Sequence, residues 1–188
     1  MAVTASQLTV GYREKVVLTR FSHRFEDNSV TCIFSPSGSG KTTLLHTIAG
    51  LIPPLGGSLT VDSKRISMIF QENRLLMNLT AFSNVKPVCP EKSAEEIEAA
   101  LAAVGLGEDI YTPVKNFSGG MCRRVAAVRA LLYDADTYLF DEPFTGLDSD
   151  SADALIRLIK RFCHEKTVII ATHDESLPQK LNAEILRL

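Results

Sequence analysis

Hydrophobic positions along this chain change period several times, and each change marks an element. In the first 34 residues, LTVGY (8–12), KVVLTRFSHRF (15–25) and SVTCIF (29–34) are rich in β-branched and aromatic residues with partial alternation. They read as strands, and EDNS (26–29) carries turn chemistry between the last two. A Gly/Ser loop follows, then the helical run KTTLLHTIAGL (41–51), which Gly50 and the pair Pro53-Pro54 end. SLTV (58–61) and RISMIF (65–70) are two further short strands.

From Glu72 to Asn116 the β character disappears. SAEEIEAALAAVGL (93–106) is an amphipathic helix with a Ser93–Glu96 capping box and Gly105 as its stop. This stretch reads as a small helical insert. Beyond SGG (118–120) come another helix, the strand TYLF (137–140) and a helix over about 149–163. The strand TVIIAT (167–172) is an unbroken apolar run, as expected when both faces are covered, and AEILRL (183–188) is a last strand. Strands alternating with helices predict an α/β fold with a parallel-centred sheet.

Composition narrows the picture. The 188 residues fit one domain, or a domain with a subdomain, and 45% apolar content supports a real core. With 20 basic and 22 acidic residues the net charge is -2, which argues against a dedicated nucleic-acid binder. Cys32, Cys89, Cys122 and Cys163 show no CxxC spacing, so a zinc site is not expected. Cys32, inside an apolar run, reads as core. The N-terminus lacks the apolar stretch of a signal peptide, and no apolar run is long enough to span a membrane. A cytosolic protein with free thiols is the expectation.

The chemistry concentrates at strand ends. SPSGSGKTT (35–43) follows a strand and opens a helix, and it fits G-x-x-x-x-G-K-[ST] except that Ser35 stands at the first glycine. In such a loop, glycines let backbone N–H groups surround phosphate oxygens, and the helix start adds partial positive charge. Lys41 would reach the β- and γ-phosphates, and Thr42 would hold Mg²⁺. Asp141, closing a strand, is the expected acidic partner of that Mg²⁺, and Glu142 beside it could polarise an attacking water. Gln71 and His173 also end apolar strands. Ser35, Gln71, Asp141 and His173 would then share one sheet edge, where open α/β sheets bind ligands.

The ordered set resembles the nucleotide-binding subunit of an ABC transporter, and the likeness covers nearly the whole chain. Ser35, Ser37, Gly38, Ser39, Gly40, Lys41, Thr42 and Thr43 match the Walker A loop, and Gln71 matches the Q-loop. FSGGM (117–121) matches the signature LSGGQ, with Met121 in place of glutamine. Asp141 and Glu142 match Walker B and its catalytic glutamate, GLD (146–148) the D-loop with Asp148, and His173 the switch histidine.

The resemblance implies a P-loop cassette of the ABC ATPase type. It would be a single domain over 1–188, with an N-terminal antiparallel β region and a helical subdomain at about 72–133 inserted in a RecA-like core. It implies ATP and Mg²⁺, Tyr12 stacking on adenine, and Ser118, Gly119 and Gly120 on the nucleotide. It also implies Thr42, Gln71 and Asp141 at the metal, with Glu142, His173 and Gln71 in catalysis. No C-terminal regulatory domain is expected.

This explains why one chain carries two helix starts shaped for phosphate, at Lys41 and at Ser118. In the resembled fold they do not meet within one chain. A head-to-tail pair, homodimer or heterodimer, would clamp each ATP between Lys41 of one chain and Ser118–Gly120 of the other. A separate membrane permease, and indirectly a solute-binding protein, would complete the machine at the cytoplasmic face of the membrane, with no nucleic-acid partner. FQENRLLMNLTAFSNV (70–85) resembles the same region in nitrate, sulfonate or taurine importers, and the permease would contact residues from Gln71 to Pro90. The alternative is a soluble ABC-type ATPase acting on DNA or ribosomes. The stretch from Gln71 to Ser118 is too short for the coiled coil of the DNA-repair members. A generic P-loop kinase or GTPase would leave SGG and His173 unexplained.

Overall fold

The structure is a computed structural model that describes residues 2–12, 15–36 and 38–188. Two compact units result. The first comprises Met1–Met68, Ala135–Glu142 and Glu165–Leu188, and the second Ile69–Asp134 and Pro143–His164.

The first unit holds two sheets. Strands β1 (Val3–Tyr12), β2 (Lys15–Phe25) and β4 (Gly56–Val61) form an antiparallel sheet in the order β2-β1-β4. Its register slips on β1 after Ala5, where Gln7 takes φ 48°. Gly57 lies opposite at φ +75°, and a Cβ there would sit 2.2 Å from the Gln7 carbonyl oxygen, so this bulge requires glycine.

The second sheet has the order β5-β6-β7-β3-β8, from β5 (Ile66–Ile69), β6 (Thr137–Asp141), β7 (Thr167–Ala171), β3 (Val30–Phe34) and β8 (Glu184–Arg187). The β6–β7, β7–β3 and β3–β8 pairs are parallel, as the alternation of strands and helices predicts. Every residue of β6 and β7 is buried, which explains their unbroken apolar runs.

Helix α1 (Lys41–Ile48) packs against β1, β6 and β7. Leu44, Leu45 and Ile48 join Val3, Leu8, Phe25, Ile33, Leu139 and Ile169 in one core. Burying each such side chain contributes about 1.5–3 kcal/mol, so the first turn of α1 is held by the same contacts that hold the fold. Cys32 is fully buried, and burial pushes its thiol up to about 12.

The second unit is helical. It contains α2 (Ala81–Val85), α3 (Ala94–Ala103), α4 (Gly119–Leu132) and α5 (Ser149–Phe162). The capping box of α3 forms as read: Ser93 Oγ accepts from Glu96 N–H, and Glu96 accepts from Ser93 N–H. Gly105, at φ +74°, ends the helix, with Leu106 N–H returning to the Leu101 carbonyl. Arg124 of α4 donates to the Val104 and Gly105 carbonyls at 2.7 and 3.3 Å, closing the C-terminus of α3 with a cation. On α5, Ala154, Leu155, Leu158 and Ile159 face inward at helical spacing. Two five-residue helices, α2 and α6 (Leu177–Leu181), have no counterpart in the sequence reading, because so few residues complete too little of a period to show one.

Candidate nucleotide site

β3 ends at Phe34, and the loop that follows delivers the chain to α1. Gly40 caps the helix at φ 101°, in the left-handed region. A Cβ there would also lie 2.8 Å from Val17 Cγ1 of β2, so conformation and packing both demand glycine. Lys41 is buried in the first turn, and its Nζ donates to the Ser35 carbonyl at 2.7 Å. Gly38 has φ +82° with open space around it, while Ser39 is half-buried. Ser35 is not among the described residues with positive φ, so a side chain is tolerated where the motif has glycine. That side chain hydrogen-bonds Ser39 Oγ, tying the two ends of the loop. Thr42 is partly exposed and Thr43 buried. Ser37 lies outside the described residues.

Tyr12, at the end of β1, is 48% exposed, with its hydroxyl 3.5 Å from His46 Nδ1 of α1. An aromatic ring left in solvent beside this helix suits stacking rather than core packing.

The carboxyl ends of β3, β6 and β7 share one edge because the three strands are parallel. Asp141, the last residue of β6, is 1% exposed. Glu142 follows at φ 49°, its N–H donating to the Ala171 carbonyl at 2.9 Å. That backbone state costs about 1–3 kcal/mol in a non-glycine residue. The Glu142 carboxylate lies 3.1 Å from Nε2 of the exposed His173. Burial raises the Glu142 pKa, and the Asp141 charge adds to the rise, while His173 and Lys41 oppose it. Ser35, Lys41, Asp141, Glu142 and His173 all belong to the first unit.

Gln71, Ser118, Gly119, Gly120 and Asp148 belong to the second unit. Ser118 caps α4, accepting from Met121 N–H at 3.2 Å. An O–H that accepts in this way keeps its proton available to donate. The two glycines differ. A Cβ on Gly119 would meet nothing within 4 Å, whereas one on Gly120 would sit 3.0 Å from the Gly146 carbonyl oxygen. Gly119 therefore leaves open space over the helix start, and Gly120 lets the turn before Asp148 pack closely. Asp148 caps α5, accepting from Ser151 N–H at 2.8 Å and from its hydroxyl at 3.1 Å, and these bonds lower its pKa. Gln71 is exposed just beyond β5.

The sequence reading missed Arg123 and Arg129. Both reach from α4 to the residues around Gln71. Their spacing on a helix carries no signal of that, since an arginine in a helix is ordinarily solvated.

The matching family model is that of the ABC transporter, over residues 6–145. The chain belongs to the ABC transporter family. It is 32% identical to the ergothioneine transport ATP-binding protein EgtV of Helicobacter pylori, across 99% of this chain and 96% of that one. It is 36% identical to the aliphatic sulfonates import ATP-binding protein SsuB 2 of Frankia alni, across 92% of this chain and 71% of that one. Among solved structures, the post-hydrolysis dimer of the ATP-binding cassette MJ0796 bound to ADP and Pi superposes with a TM-score of 0.86 at 28% identity. That match covers 99% of this chain and 94% of the other.

The protein is thus an ATP-binding subunit of an ABC transporter, an ATPase cassette that works with a membrane permease. Among its described residues no helix is long and apolar enough to cross a membrane. The reading as a soluble ATPase acting on DNA or ribosomes finds no support among these relatives.

Proposed function

We propose that this cassette powers import of a solute, bound peripherally at the cytoplasmic face of the membrane, as one half of an ATPase dimer. One ATP would be clamped between Lys41 of one chain and Ser118–Gly120 of a second. The observation that carries the reading is the division of labour between the helix starts. The α1 start has a buried lysine whose charge acts on Glu142, and the α4 start has an open Gly119 and a serine with a proton to give. Each is half of a phosphate site.

Within the site, Lys41 and the N–H groups of residues 38–43 would hold the phosphates, with Ser35 and Ser39 shaping the loop and Tyr12 under the base. Glu142 would accept the proton of the attacking water, and His173 would hold that carboxylate and contact the γ-phosphate. The Thr42 hydroxyl, the Asp141 carboxylate and the Gln71 amide are hard oxygen donors, which suit Mg²⁺. Mg²⁺ would there neutralise phosphate charge. The whole chain would act as one ATPase domain, its helical subdomain at about 72–133.

The permease would dock near the segment after Gln71. Leu76, Met77 and Leu79 are exposed there, and Tyr111, exposed, stacks on Phe82 with ring centroids 5.5 Å apart. A cluster of exposed large apolar residues marks an interaction surface. Import is supported by the sulfonate importer subunit among the relatives. A solute-binding protein would then serve the permease from outside, and the ATPase pair would be a homodimer or a heterodimer.

The test is sizing chromatography of Glu142→Gln with ATP and Mg²⁺. A dimer is expected, and a monomer overturns the clamp. Pull-down from solubilised membranes should recover a multi-span permease. Recovery of ribosomes or DNA at moderate salt would instead overturn the transport reading.

A further inference from the structure

Two arginines of α4 grip the segment that carries Gln71. Arg123 is 3% exposed, and its Nη1 donates to the Phe70 carbonyl at 2.6 Å and to Asn73 Oδ1 at 3.2 Å. Arg129 donates through Nη1 to the Arg74 carbonyl at 2.8 Å and through Nη2 to the Asn73 carbonyl at 3.0 Å. Arg74 itself has φ 46°, and its guanidinium lies 3.7 Å above the Phe70 ring. Residues 70–74 have no helix or strand of their own, so no backbone ladder fixes them. Charge-assisted bonds from the buried Arg123 and the half-buried Arg129 do so instead.

The bonds bracket Gln71 on both sides, at Phe70 and at Asn73. They also bracket the left-handed residue at 74, a state that persists only when its surroundings over-determine it. Arg123 lies one turn, about 6 Å of rise, beyond Gly119 on the same helix.

We propose that Arg123 and Arg129 are positioning residues for Gln71: α4, and not the strand before it, sets where the Gln71 amide is presented. The proposal rests on the reading of Gln71 as a metal and water ligand. Both Arg123 bonds leave one nitrogen, Nη1, which the planar guanidinium holds in place, so a lysine ammonium reaching the same point would keep part of the grip.

The experiment is steady-state ATPase of the full chain, titrated with Mg²⁺ and separately with ATP, for Gln71→Ala, Arg123→Met, Arg123→Lys, Arg129→Gln and the double variant Arg123→Met/Gln71→Ala. Gln71→Ala should lower kcat and raise the Mg²⁺ concentration at half activity, each on the order of tenfold, as misplacement of a ligating group does. Arg123→Met and Arg129→Gln should shift both quantities in the same direction while leaving KM for ATP within about twofold, since the phosphate loop is untouched. The double variant should be no worse than Gln71→Ala alone, and Arg123→Lys should recover part of the loss.

A role in folding alone would reduce the active fraction without moving the Mg²⁺ midpoint. If Gln71→Ala shifts that midpoint and neither arginine variant does, the clamp is overturned. If Gln71→Ala shifts nothing, the reading of Gln71 falls, and the proposal with it. Should Arg123→Met fail to fold by thermal melting, Arg129→Gln carries the same comparison.

Discussion

The helix starts at Lys41 and Ser118 look alike in sequence and are built differently. At α1 the cap is Gly40, forced by a φ of 101° and by Val17 against it, and it offers no side chain to the first-turn N–H groups. A cation, Lys41, is buried in that first turn. At α4 the cap is Ser118, which already occupies Met121 N–H, and the open glycine is Gly119 alone. The first start leaves its N–H groups without a side-chain cap and sets a buried cation beside them. The second is a self-satisfied helix N-terminus with room over it. Glycine-rich sequence before a helix therefore does not say whether the glycine serves conformation, packing or approach, and here Gly40, Gly120 and Gly119 do the three in turn.

Breaking the α1 side should cost most. Glu142→Gln is expected to keep ATP binding and lower turnover by about 10²–10⁴-fold, the usual contribution of a positioned base, read by phosphate release. Lys41→Ala should weaken ATP binding about 10- to 100-fold, the worth of one charged hydrogen bond, read by calorimetry. Full ATPase activity in that variant would break the assignment.

The α4 side is sharpened by a pair of substitutions. Gly120→Ala should destabilise the fold by about 1–3 kcal/mol, because its Cβ overpacks against Gly146. Gly119→Ala should leave thermal stability unchanged or slightly raised, yet weaken the ATP-dependent dimer of Glu142→Gln. Equal melting of the two variants would erase the distinction. Ser118→Ala should cost about 1 kcal/mol as a lost cap, measured by denaturant unfolding.

The smallest effect is in pH. Burial raises the Glu142 pKa and His173 lowers it, so the acid limb of kcat/KM should lie above the ordinary carboxylate range and move further up in His173→Ala. The sign for stability is opposite to that of a paired carboxylate. Ionising Glu142 costs the folded state, so its penalty is absent below the unfolded value near 4.5 and grows as pH rises toward the folded value. Glu142→Gln should therefore gain stability over the parent above that pH, and a parallel pair of Tm curves would contradict it.

Much of this was legible from order and spacing. The Ser35–Thr43 loop, the strand ending in Asp141, the α3 capping box and the buried parallel strands follow from local rules, because turn chemistry, caps and burial on both faces each leave a mark within a few residues. The sequence by itself determined that a Gly/Ser loop ending in Gly40-Lys41-Thr42 and an acidic strand end occur in the order of an ABC ATPase, and that a second helix start carries SGG. Only the tertiary structure decided which glycine packs and which stays open, that Asp148 and Ser118 serve as caps, and that Arg123 and Arg129 hold residues 70–74. Those contacts join residues far apart along the chain, through single carbonyls and guanidiniums. Local periodicity holds no record of them, because the same arginine on the same helix would read identically if it faced water.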